Sequence, residues 1–178
     1  MGESVSKRQT FKVLQVYKDF EVRSYPSYVI AEMGVPERFS ITSNDGFSTL
    51  LNYISKGNKH FEAIAMTAPV ISYEDLNKSN SKYISFVMPE GSTLSNLPLP
   101  NDPKIMLREI NSEICVAKSF TGSASKELVK LKIEELRSSA LIEGIILSDL
   151  HMLCRFDPPY KPGFMKYNEI VIPVIKSS

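Results

Sequence analysis

Phe20-Glu21-Val22-Arg23-Ser24-Tyr25-Pro26-Ser27-Tyr28-Val29-Ile30-Ala31-Glu32-Met33-Gly34-Val35 is the stretch on which the fold turns. Residues 20–25 alternate in polarity, Pro26-Ser27 reads as a two-residue turn, and Tyr28 to Val35 reads as a returning strand. The pattern predicts a β-hairpin. It recurs 85 residues on: Ile105 to Ile110, then Asn111-Ser112, then Glu113 to Phe120 predict a second one. Arg23 corresponds to Arg108, and Pro26-Ser27 to Asn111-Ser112.

Each hairpin is followed by a change of period. Phe47, Leu50, Leu51 and Ile54 form the apolar stripe of a helix over residues 43–56. Thr42 or Ser43 can cap it, and Gly57-Asn58 can end it. Val129, Ile133, Leu136 and Ala140 predict a second helix over residues 123–140. Strands are expected over 11–17, 64–73, 82–88, 145–147, 151–156 and 168–175. The order is ββαββ twice, preceded by one strand, which a duplicated half-domain explains better than chance. Two amphipathic helices on a largely antiparallel sheet make an α+β domain, with a small-molecule cleft between layers. Residues 1–10 are expected as a flexible tail and 11–178 as a single domain.

Composition narrows the function. With 21 Lys+Arg against 20 Asp+Glu among 178 residues, the formal charge is +1. That balance argues against nucleic acid as a partner. Two Cys and two His exclude a disulfide framework and leave nothing to spare for a zinc site. No apolar run approaches a membrane span, and the first thirty residues lack a signal-peptide core. Met1-Gly2-Glu3-Ser4-Val5-Ser6 has the outline of a myristoylation signal, but acidic Glu3 argues against it. Membrane association is expected only if that signal is used, and a cytoplasmic location is expected otherwise.

No phosphate-binding Gly loop, His-Glu-x-x-His helix or Gly-x-Ser-x-Gly elbow is present. Cys115 and Cys154 sit mid-strand, as buried small hydrophobes do. His151 begins a strand and suits hydrogen bonding. His60, in a loop after the first helix, reads as a solvated histidine or, more sharply, as an axial ligand to haem iron. Glu109 and Glu169 suit salt bridges with arginines. Ile64 to Val70 contains Thr67-Ala68-Pro69 and must form an edge or a bulge. Phe156 to Phe164 is a stiff, proline-rich, aromatic loop.

These segments together resemble the SOUL / haem-binding protein family. The resemblance rests on residues 20–25, Gly46-Phe47 through Leu50, Tyr53-Ile54, Gly57-Asn58 and Ile64 through Val70. It continues in Ser85 through Pro89, Leu97 through Pro100, Phe120-Thr121-Gly122, Asp157-Pro158-Pro159, Pro162-Gly163-Phe164 and Asn168-Glu169. It implies a distorted antiparallel β-barrel flanked by two α-helices with a pseudo-twofold repeat, related to gyrase-inhibitor-like domains. It also implies non-covalent, non-enzymatic binding of haem or another tetrapyrrole in a hydrophobic cleft on the first helix, for buffering or transport.

The cofactor-binding positions implied are Asn44, Phe47, Leu51 and Asn52, joined by His60 and Met66, with His60 as the candidate iron ligand. Asn44 and Asn52 stand where one type in the family has basic residues, so the helix lacks cations for the propionates. Lys56, Lys59 or Lys161 are the substitutes to consider. Two alternatives follow: a regulatory or protein-interaction module that has lost haem affinity, or a binder of another hydrophobic small molecule. No enzyme activity is expected.

Overall fold

The computed structural model describes residues 7–79, 81–158 and 160–177. The possible myristoylation signal at residues 1–6 therefore lies outside the described residues. Twelve strands and two α-helices run in the order β1 (Lys7–Arg8), β2 (Lys12–Val16), β3 (Glu21–Tyr25), β4 (Tyr28–Val35), α1 (Phe47–Ile54), β5 (Thr67–Ala68), β6 (Val70–Asp75) and β7 (Ser81–Val87). Then come β8 (Met106–Ile110), β9 (Glu113–Thr121), α2 (Lys126–Ile142), β10 (Ile145–Leu147), β11 (Leu150–Arg155), a 3-10 turn (Gly163–Met165) and β12 (Tyr167–Ser177).

The two stretches read as hairpins are not hairpins. β3 pairs with β9, Glu21 opposite Ala117 and Tyr25 opposite Glu113. β4 pairs with β8, Tyr28 opposite Ile110 and Glu32 opposite Met106. The register is the same on both sides of the bends, so two long bent chains run antiparallel through Pro26-Ser27 and Asn111-Ser112. The cause is local. A two-residue hairpin needs positive φ in its turn, and neither Pro26-Ser27 nor Asn111-Ser112 adopts it. Arg23 lies opposite Cys115 and Arg108 opposite Ile30, so positions 85 residues apart have partners 85 residues apart.

The main sheet runs β2-β3-β9-β12-β11-β6-β7-β4-β8, with β10 added beside β12. It is antiparallel throughout and is not closed into a barrel, which corrects the barrel expectation. Closure would require β2 to meet β8. β2 is exposed along its length and interrupted by a bulge between Val13 and Gln15, while β8 carries Arg108 and Glu109. Bulges and charges are the devices that keep sheet edges from pairing. As the sequence predicts, Thr67-Ala68-Pro69 breaks the sheet. A cis Ala68–Pro69 bond separates β5 from β6. Lys7–Arg8, expected as tail, pairs in parallel with Thr67–Ala68, and Gln9 N donates to Ala68 O over 2.8 Å.

Alternation along the strands sorts the core into two faces. One face carries both helices. α2 buries Val129, Leu136 and Ala140 against Val116, Phe120, Leu153, Ile170 and Ile172. α1 buries Leu50, Tyr53 and Ile54 against Val29, Ala31, Met33, Ile84 and Phe86. The other face packs Tyr25, Ile30, Ile71, Tyr73, Val87, Cys115, Met152 and Cys154 on one another. The cysteines are free and buried, and burial pushes both thiols up, which removes the thiolate a nucleophile needs.

Candidate functional site

α1 is shorter than its apolar pattern suggests. It begins after Gly46, which has φ 90 and supplies no side-chain cap. Ser43 Oγ is instead engaged by Asp45 N at 3.0 Å, closing a local turn that precedes the helix. A Cβ on Gly46 would lie 2.8 Å from both Ile84 Cγ2 and Met33 Sδ, so the residue permits close contact with the sheet as well as the positive φ. At the other end, Lys56 rather than Gly57 takes the left-handed conformation, with φ 78. Gly57 is required for a different reason: a Cβ there would meet the Asn52 carbonyl oxygen at 2.5 Å.

Asn58 is fully buried and organises the loop beyond the helix. Its Nδ2 donates to the carbonyls of Tyr53 (3.0 Å) and Glu62 (2.8 Å), and its Oδ1 accepts from the amides of His60 (3.2 Å) and Glu62 (3.1 Å). All four capacities of the amide are used. Asn58 thereby anchors the backbone of His60, whose side chain is exposed.

Of the positions singled out, Phe47, Leu51 and Asn52 lie on α1 and Asn44 precedes it. Phe47 is half-buried, its ring 5.3 Å from that of Phe86, and Leu51 is 41% exposed one turn on. Asn44 and Asn52 are exposed at either end. Met66 packs against the same core cluster as Phe47 and also lines a cavity of 570 Å³. Lys161 is held by Asp157 at 2.7 Å, so its charge is already matched. Lys56 and Lys59 are exposed.

A residue that sequence reasoning missed supplies a cation to this region. Arg155, at the end of β11, donates through Nη1 to Asn44 Oδ1 (2.8 Å) and Thr42 O (3.2 Å). Its Nη2 reaches Ser43 O (3.1 Å) and Ser72 Oγ (2.8 Å). All four acceptors are neutral, and its buried Nε has no partner. Burial pushes the guanidinium pKa down to about 10, slightly opposed by Cys154, and it stays charged at neutral pH. Because Asn44 accepts from Arg155 through Oδ1, its Nδ2 is left to donate outward. No sequence signal marks Arg155, since only the fold brings β11 to the start of α1.

Two further charged clusters sit on the face away from the helices. Arg23 donates to both oxygens of Glu169 (2.9 and 2.5 Å), to Glu21 (2.7 Å) and to Tyr25 Oη (2.8 Å). Arg108 donates to both oxygens of Glu32 (2.9 and 3.2 Å) and to Tyr73 Oη (2.9 Å). Glu169 therefore makes the salt bridge its sequence context suggests, while Glu109 lies exposed on β8. Arg108, Tyr73, Tyr28 and Glu113 line a cavity of 120 Å³.

His151 is buried, with Nε2 3.3 Å from Glu74 Oε2. Burial lowers its pKa, Glu74 opposes that shift, and Arg137 adds to it. The folded protein thus favours neutral His151. Its contribution to stability is complete above the ordinary histidine value of 6.5 and is lost as pH falls below it. The thermal midpoint should fall more steeply below pH 6.5 in the native protein than in His151→Gln. Parallel profiles in thermal melts across that range would count against this assignment.

A mostly apolar cavity lies elsewhere, with a volume of 570 Å³. Its walls are the 7–10 segment, the Pro26–Val29 bend, residues 65–67 and residues 87–92. Among the described residues no group of three or more His, Cys, Asp or Glu could hold a metal ion. Nor is any helix there long and apolar enough to cross a membrane.

The profile of the family described as "SOUL heme-binding protein" matches residues 6–173. The chain belongs to that family. Two similar relatives are the "Heme-binding protein 1" chains of Xenopus laevis and Xenopus tropicalis, 27% and 26% identical over 172 residues. Each match covers 95% of this SOUL chain and 88% of the relative. Among solved structures, the C-terminal domain of EcmrR shares the fold with a TM-score of 0.65 at 12% identity, over 89% of this chain and 98% of that one. SAV2435 bound to tetraphenylphosphonium aligns with a TM-score of 0.53 at 10% identity, over 88% and 93%.

Proposed function

We propose that this SOUL chain binds haem or a related tetrapyrrole non-covalently on the exposed face of α1, without turnover, and buffers or carries it in the cytoplasm. The observation that carries the reading is the family match over residues 6–173. The local geometry fits the group. Phe47 and Leu51 offer an apolar strip to a flat ring, and burying one such side chain contributes about 2 kcal/mol. A propionate at the start of α1 would accept from Asn44 Nδ2, with the Arg155 guanidinium behind it. Asn52 offers a second amide at the far end. His60, whose backbone Asn58 anchors in the loop after the helix, is the candidate iron ligand, and Met66 also lines the 570 Å³ cavity. The matched positions 85 residues apart support descent of the two halves from one ancestral unit.

Haem titration of the purified protein, followed at the Soret band, tests this. A saturable shift at micromolar haem is expected, and its absence would leave the reading without support. His60→Ala should change the band if His60 ligates the iron. An unchanged band removes His60 as ligand while leaving the apolar face as the site.

A further inference from the structure

The 570 Å³ cavity is not used by the reading above. It falls within the size range of small-molecule sites, and its composition is directional. Val29, Met66, Val87 and Met88 line it together with Tyr28. The 7–10 segment brings Lys7 and Arg8 to one wall, two cations against one acidic lining residue, Glu90, and all three are exposed. The Lys7 ammonium has no partner among the described residues. Arg8 lies over the rings of Phe156 (4.9 Å) and Tyr167 (5.6 Å), and its charge helps to hold the Asp157 carboxyl below its ordinary value, so Lys7 is the cation offered to a ligand.

We infer that this cavity is a second binding site, for an amphipathic carboxylate whose apolar body lies along Met66, Val87 and Met88 and whose carboxylate meets Lys7. An apolar body gains by leaving water, whereas a carboxylate requires a cation or donors when it is desolvated. The cavity offers the two features side by side. A neutral amphiphile would gain nothing from Lys7, and an organic cation would face two basic side chains against one acidic. The site also accounts for β1, a two-residue strand off the main sheet that holds these cations over the cavity by pairing with β5.

The test uses the full chain and a fluorescent fatty-acid analogue, 11-(dansylamino)undecanoic acid, whose emission rises in an apolar site. Saturable enhancement at one equivalent is expected, with affinity in the micromolar range. The methyl ester of the same probe should bind at least tenfold more weakly. Lys7→Glu should weaken binding of the acid by about tenfold. Ala65→Trp, which adds bulk at an exposed position on the cavity wall, should abolish it. Circular dichroism confirms that each variant is folded, and if one is not, the other carries the test. No saturable enhancement, equal binding of acid and ester, or full affinity in the folded variants would each overturn the proposal. The probe contains no tetrapyrrole, so the result is independent of the haem titration.

Discussion

Arg23→Ala is expected to lower stability by about 3–5 kcal/mol, because it leaves the Glu169 carboxylate buried without its cation. In a chain of this length that is on the order of 10 °C in Tm. Arg23 and Glu169 are both almost fully buried, and the guanidinium also holds Glu21, Tyr25 and, at 3.9 Å, the ring of Phe11. Removing the cation leaves Glu169 with Tyr167 Oη as its remaining hydrogen-bond donor of those described, at 2.9 Å. The pair itself is not the source of stability; the penalty comes from stranding one charge. Arg23→Met combined with Glu169→Leu should therefore recover most of the loss. Arg108→Ala serves as a comparison. The Arg108 side chain is 43% exposed, so water can reach Glu32 when it is gone, and a smaller drop is expected. Thermal denaturation of the three variants beside the native protein decides the matter, and a change below about 2 °C for Arg23→Ala would refute the expectation.

Gly46→Val should cost about 3 kcal/mol and weaken haem binding together with stability. A β-branched residue at φ 90 is strained, on the order of 1–2 kcal/mol. Its side chain also meets Ile84 and Met33 at distances no real Cβ tolerates, an overpacking cost of about 1–3 kcal/mol. The helix start must shift away from β4 and β7, carrying Phe47 and Leu51 with it. Gly91→Ala separates the two causes. Gly91 has φ 88 but nothing within 4 Å of an added Cβ, so only the backbone penalty of about 1 kcal/mol applies. Equal losses in the two variants, read from thermal melts, would show that the contact with the sheet is unimportant.

Much of this architecture is legible in the sequence because it rests on local periodicity. The stripes Phe47-Leu50-Leu51-Ile54 and Val129-Ile133-Leu136-Ala140 do lie in helices, and the break at Pro69 falls where a proline must interrupt a ladder. Pairing partners are another matter. Alternation in residues 20–35 marks two strands but does not say which strand each meets, and a two-residue link suggests a hairpin by habit. The warning present in the sequence was chemical: neither Pro26-Ser27 nor Asn111-Ser112 offers the Asn-Gly type of turn. Sheet closure likewise depends on whether β2 and β8 meet, two strands about half the chain apart that no local pattern relates. At α1, the matched positions Asn44, Leu51 and Asn52 are exposed and Phe47 is half-buried. The cation behind them comes from Arg155, 111 residues from Asn44, and is visible only once β11 is placed. Phe47 is also more deeply packed than a ligand platform alone requires, so Leu51 is the better residue to probe.

The outward face of α1 is the proposed tetrapyrrole site. Leu51→Asp tests it most directly, because Leu51 is partly exposed and its loss should leave the fold intact. Replacing an apolar contact worth about 2 kcal/mol with a carboxylate beside the propionates should weaken haem binding roughly thirtyfold or more in a Soret titration. Unchanged affinity in a folded Leu51→Asp protein would contradict the account and place any haem site off the first helix.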